Sequence, residues 1–210
     1  MSKQAQWFFD FISPFSYLQL RHVLAWRERL QVTPMPILFG AVLQQIGQLG
    51  PAEIPGKREF TYRSVQWQAA RENITLRFPD AHPFNPMSAP RLAIAADSSW
   101  PAIAAIFDHV WRDGRAADAA GLADVGLHLG IADVARAIDS PAVKAQLRAN
   151  TEAALAAGVY GVPTLKCGDE MFWGNDATPM IEDWLAHPEL FSSAEYRRIA
   201  DLPVGIRRQR

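Results

Sequence analysis

The chain holds a single cysteine, Cys167, in 210 residues. One thiol can form neither an intramolecular disulfide nor a dithiol redox pair. No apolar run approaches the roughly 20 residues of a membrane span. Neither sign of charge dominates: 21 Lys and Arg stand against 22 Asp and Glu, a formal net charge of −1. That balance lacks the overall basic character of a protein that binds nucleic acid or an anionic membrane surface. The opening Met1-Ser2-Lys3-Gln4-Ala5-Gln6 lacks the charged and apolar regions of a signal peptide, so a cytosolic protein is expected. What remains is an ordinary globular composition, 49% hydrophobic and 20% charged. The length suits one domain, or one domain carrying an insertion.

The richest stretch is Trp7-Phe8-Phe9-Asp10-Phe11-Ile12-Ser13-Pro14-Phe15-Ser16-Tyr17. Trp7 to Ile12 is apolar apart from Asp10, which predicts a central strand covered on both faces. Ser13 is placed as a helix N-cap, with Pro14 at the first helical position, where its missing N–H costs nothing. A hydroxyl there lies at a helix N-terminus, where free N–H groups and the helix dipole stabilise an anion such as a thiolate. In DsbA-type thioredoxin-fold proteins such a strand ends in Cys-x-x-Cys. This chain resembles them with serine at both positions, Ser13 and Ser16.

The helix predicted after Ser13 runs from Pro14 to about Leu30. A second strand follows over Val32–Phe39. Its Pro34 and Pro36 cannot donate to a ladder, so it belongs at a sheet edge or is irregular. From Ala41 to about Ala157 the pattern is helical, broken by Gly50-Pro51, Pro79, Pro83, Pro86, Asp113-Gly114 and Gly130. The predicted helices are Ala41–Gln48, Gly56–Asn73, Ser88–Ala96, Ala102–Arg112, Ala120–Leu129 and Ser140–Ala157. Strand character returns at Gly161–Cys167, turns at Gly168-Asp169, and comes back over Glu170–Trp173. A last helix covers Ala177–Ala186. The tail to Arg210 is mixed and ends in a basic run. The order β-α-β, helical block, β-β-α predicts an α/β thioredoxin-like domain (1–40 and 158–210) interrupted by a large all-helical insertion (41–157).

Five stretches together make the resemblance specific. They are Phe9–Tyr17, Gly50–Lys57, Phe78-Pro79 with His82–Pro86, Gly161-Val162-Pro163-Thr164, and Met171–Asp176. In that order they resemble the 2-hydroxychromene-2-carboxylate isomerases, relatives of the kappa-class glutathione transferases. The resemblance covers about residues 7 to 186. It implies glutathione as cofactor, with Ser13 hydrogen-bonding the sulfur as catalytic residue. It implies a cis bond at Val162-Pro163 and a Val162 backbone that pairs with the cysteinyl part. Asn175 and Asp176 would hold the γ-glutamyl end, and Lys57 and Gln48 the glycyl end. The charges fit: a lysine suits a carboxylate and an aspartate suits an amine. The kappa-class relatives carry asparagine at the position of Gln48.

The implied reaction interconverts 2-hydroxychromene-2-carboxylate and trans-o-hydroxybenzylidenepyruvate, with a small aromatic carboxylate as partner and a homodimer as assembly. Arg77, His82 and Asn85 are candidates for the substrate pocket. The alternatives are a kappa-type transferase acting on another electrophile, and a DsbA relative without its dithiol. Cys167 is expected to be buried in its strand and inert.

Overall fold

The computed structural model describes residues 3–206. Its sheet has the order β2-β1-β3-β4. The strands are β1 (Lys3–Phe9), β2 (Leu30–Pro36), β3 (Thr164–Cys167) and β4 (Glu170–Trp173). β2 runs parallel to β1, from Lys3 opposite Leu30 to Phe9 opposite Pro36. β3 is antiparallel to both β1 and β4. β2 lies at the edge, as its prolines require. Gly168 (φ +60°) and Asp169 form the turn between Cys167 and Glu170, which face each other.

Helix α1 (Pro14–Trp26) follows β1. Between β2 and β3 come α2 (Phe39–Ile46), α3 (Lys57–Arg71), α4 (Ser88–Ala95), α5 (Trp100–Phe107), α6 (Ala123–His128), α7 (Val134–Asp139) and α8 (Pro141–Ala156). α9 (Thr178–Ala186) and α10 (Ala194–Ala200) follow β4. No described helix is long and apolar enough to cross a membrane.

The first strand begins and ends earlier than Trp7–Ile12. Its polar opening residues pair with β2, and the chain leaves the ladder at Asp10, whose carboxylate takes the N–H of Ile12. α1 stops at Trp26, so that Leu30 can open β2. The expected helix Ala102–Arg112 changes at Phe107 into a π-helical turn over Asp108–Arg112, which carries buried Trp111. Two short helices lie outside the expected pattern. α7 is capped by Asp133, whose side chain takes the Arg136 N–H, and α10 by Ser193 in the same way. Both are too brief for periodicity to reveal. Part of the basic tail, 207–210, lies outside the described residues.

One hydrophobic cluster joins the two sequence regions. Trp7, Phe9 and Phe11 pack with Phe107 and Trp111 from the helical segment. Phe11 and Phe107 have ring centroids 4.4 Å apart, and Phe9 and Phe107 5.7 Å. Such contacts add about 0.5–1.5 kcal/mol per pair beyond area burial. Helical block and sheet thus meet over the strand that leads to Ser13.

A candidate thiol site at the end of the sheet

β1 runs towards Ser13, while β3 starts on the same side because it is antiparallel, with Phe8 opposite Thr164. β4 ends there too, since Trp173 faces Thr164. Register alone therefore gathers Ser13, Val162, Pro163, Asn175 and Asp176 at one end of the sheet. Cys167 lies towards the other end, its thiol donating to Gln4 O at 3.2 Å. Burial pushes that thiol above its usual pKa.

Ser13 is the N-cap of α1. Its Oγ accepts the Ser16 N–H at 3.3 Å, and its carbonyl takes the N–H groups of Ser16 and Tyr17. The hydroxyl proton of Ser13 remains available to a ligand. Pro14 has no N–H, and the Phe15 N–H has no acceptor among the described residues. A donor hydroxyl and an open N–H at a helix N-terminus favour a bound anion. Tyr17, one turn on, is committed elsewhere: its hydroxyl donates to Thr75 O at 2.9 Å, and burial raises its pKa to about 12.

Two successive peptide groups lead into Ser13, and both are held on both sides. The Ile12 N–H donates to Asp10 Oδ1 at 3.1 Å, and the Ser13 N–H to Asp10 O at 3.1 Å. Across the turn, Trp111 Nε1 donates to Phe11 O at 2.8 Å, and His82 Nε2 lies 2.9 Å from Ile12 O. Asp10 is fully buried and also takes the Phe39 N–H at 2.8 Å, so it caps α2 from outside that helix. Burial drives its carboxyl up to about 7, against the opposing pull of these backbone N–H groups.

Val162-Pro163 is a cis peptide. Val162 offers an N–H and a C=O with no partner among the described residues. Pro163 O takes the Gly174 N–H at 2.9 Å, Gly174 O takes Gln19 Nε2 at 2.9 Å, and Gln19 Oε1 takes the Trp7 indole N–H at 2.8 Å. This chain of bonds ties the proline turn, the Asn175 loop, α1 and β1 together. Asn175 is buried. Its Nδ2 donates to Gln68 Oε1 of α3 at 3.0 Å, while its Oδ1 has no partner among the described residues. Asp176 is exposed and folds back over Gly174, whose φ of +91° only glycine adopts readily.

The remaining sequence candidates divide. Lys57 opens α3 and Gln48 follows α2; both side chains are exposed, and neither bonds to the Ser13 group. Arg77 donates its N–H to Trp111 O at 2.7 Å, and its stem packs against Gly114. Asn85 only turns its own loop, accepting the Met87 N–H at 3.1 Å. His82 alone of that trio reaches the turn before Ser13. Asp10 and Gln19 had a visible signal, each a polar residue in an apolar run. Trp111 and Gln68 had none.

The matching family model is that of the DSBA-like thioredoxin domain, over residues 5–186. The 2-hydroxychromene-2-carboxylate isomerase of Pseudomonas putida is 34% identical over 183 residues, covering 83% of this chain and 90% of that protein. The chain belongs to the DSBA-like family, in its 2-hydroxychromene-2-carboxylate isomerase branch. A solved isomerase of that name superposes with a TM-score of 0.75 at 28% identity, over 96% of this chain and all of the other. The glutathione S-transferase kappa 2 of Caenorhabditis elegans is 26% identical over 217 residues, covering 89% of this chain and 93% of that protein. With serine at positions 13 and 16, this chain carries no dithiol at the start of α1, and its one thiol sits away from the Ser13 turn.

Proposed function

We propose that this member of the branch is a glutathione-dependent isomerase interconverting 2-hydroxychromene-2-carboxylate and trans-o-hydroxybenzylidenepyruvate. The observation that carries the reading is the set of open polar groups at one sheet end. These are the Ser13 hydroxyl and Phe15 N–H, the N–H and C=O of Val162, and Asn175 Oδ1 beside the Asp176 carboxylate. A thiol tripeptide with a free amine matches that set. Ser13 and the N-terminus of α1 would face the sulfur. Val162, ahead of Pro163, would pair with the peptide backbone as a short added strand. Asn175 and Asp176 would take the amine end, and exposed Lys57 and Gln48 the glycyl carboxylate.

Cis-to-trans change across a conjugated double bond has a high barrier while the bond stays double. When bound, glutathione supplies a thiolate that adds reversibly and makes that bond transiently single. The chain's part is to stabilise the anion at Ser13, since the thiolate is the reactive form of a thiol. Serine can donate to that anion and cannot itself be oxidised. The partly buried rings of Phe78, Phe84 and Tyr62 surround His82, which meets the Ile12 carbonyl just before Ser13, and offer an aromatic surface there. We also propose that residues 41–157 act as the insertion closing over the thioredoxin-like part, and that the protein works as a cytoplasmic homodimer.

The test is ultraviolet spectroscopy of the chromene with enzyme, with and without glutathione, for wild type and Ser13→Ala. Glutathione-dependent growth of the enone band is expected. It should be slower in Ser13→Ala by roughly 10²- to 10³-fold, the loss typical when one donor to a developing anion is removed. Turnover without glutathione would overturn the mechanism. A glutathione adduct among the products would favour the transferase reading instead.

A further inference from the structure

His82 comes from the helical segment, 70 residues from the carbonyl it meets. Its Nε2 faces Ile12 O, which can only accept, so Nε2 carries the proton. Nδ1 is then an acceptor and lies 2.7 Å from the Tyr62 hydroxyl. That hydroxyl accepts Arg58 Nε at 3.2 Å, and Arg58 Nη2 donates to His82 O at 2.8 Å. The Ile12 carbonyl sets the tautomer, while the Tyr62 hydroxyl, which also lies 2.8 Å from His82 O, and Arg58 back the ring and its loop from α3. The ring sits among Phe78, Phe84 and Trp111, each edge-on to it. Burial, with a smaller contribution from Arg58, pulls its pKa below the usual histidine value, against the hydrogen bond to Ile12, so the imidazole stays neutral at pH 7.

The carbonyl it holds belongs to the Ile12–Ser13 peptide group. The N–H of that same group is held by Asp10 O on the other side. Without His82 the plane has one anchor and can tilt about it. A tilt carries Ser13 Cβ with it and swings the hydroxyl off the position a sulfur would occupy. Trp111 cannot replace this anchor, because it holds the preceding peptide group through Phe11 O.

We propose that His82 is a positioning residue for Ser13, fixing the Ile12–Ser13 peptide plane through its Nε2–H and so aiming the hydroxyl at the thiol. The proposal rests on the glutathione reading of the site, and it does not depend on which electrophile is turned over. His82→Ala should lower kcat roughly 10- to 100-fold, the scale of a misplacement of about 1 Å. The KM for glutathione should change less than about threefold, because binding is spread over the Val162 and Asn175 groups. The pH at which bound glutathione gains thiolate absorbance should rise. His82→Gln, whose amide N–H can reach the same carbonyl, should recover most of the kcat. Tyr62→Phe, which removes the hydroxyl that meets Nδ1, His82 O and Arg58 Nε, should shift the thiolate titration in the same direction by less.

Wild-type kcat and wild-type thiolate titration in a folded His82→Ala would overturn the proposal. So would a His82→Gln variant as slow as His82→Ala while bound glutathione titrates as in wild type. If His82→Ala does not fold, Tyr62→Phe decides, and an unshifted titration there counts against the idea. If the wild type binds glutathione but leaves the chromene unchanged, the isomerase reading falls, and the thiolate titration still tests His82.

Discussion

Replacing Asp10 with asparagine should flatten the dependence of stability on pH. In the unfolded chain this carboxyl titrates near 3.8; in the folded protein burial raises it to about 7. Below pH 4 it is protonated in both states and the shift has no effect. As pH rises, the unfolded chain releases the proton freely while the native state resists, so stability falls. The loss is complete above about pH 7. Each pH unit inside the window is worth about 1.4 kcal/mol, which gives about 2–3 kcal/mol between pH 5 and pH 8 once both titration curves are included. An asparagine side chain would stay neutral throughout. Its amide can accept only one of the two N–H groups, from Ile12 and Phe39, that the carboxylate takes. The variant therefore carries a pH-independent penalty of about 1–3 kcal/mol for the donor left unpaired. The assay is urea unfolding of both proteins at matched pH values from 5 to 8. The free-energy gap between them should close in favour of the Asp10→Asn variant by about 2–3 kcal/mol over that range. A gap that does not move with pH would refute the reasoning. It would mean that the backbone N–H groups and the start of α2 fully offset the burial of the charge.

Other expectations follow from single contacts. Gly174→Ala should destabilise the fold by about 1–3 kcal/mol in thermal unfolding, because alanine at φ +91° is strained and its Cβ would lie 2.2 Å from Asp176 Oδ1. The same change should weaken glutathione binding in calorimetry, and unaltered affinity would separate Asp176 from the ligand. Asn175→Ala should weaken glutathione roughly tenfold, as loss of one buried hydrogen bond of about 1.4 kcal/mol would. Cys167, buried and hydrogen-bonded to Gln4 O, should react with a thiol reagent much more slowly than a small free thiol at pH 8. Rapid labelling of the native protein would contradict its placement in β3.

Much of this protein could be read along the chain because the signals are local. A serine followed by proline caps α1 whatever lies elsewhere. Gly168-Asp169 turns the hairpin by its own backbone preference, and the prolines of β2 send it to the sheet edge. Alternation and punctuation were enough for the β-α-β, helical block, β-β-α order, hence for the thioredoxin-like reading, and the resemblance of short motifs pointed to Ser13, Val162, Pro163, Asn175 and Asp176. Element ends were less legible where tertiary pairing overrode composition. Lys3, Gln4 and Gln6, polar around the buried Ala5, became strand because β2 runs beside all of them and β3 beside Gln6. What no local pattern could show is the clamp on the Ser13 turn. Asp10 there answers to Phe39, 29 residues away, Ile12 to His82, and Phe11 to Trp111, 100 residues away. Hydrogen bonds depend on distance and direction between groups, not on their order in the chain. The fold therefore had to bring α3, the His82 loop and the π-helical turn over the end of β1 before those residues acquired any role.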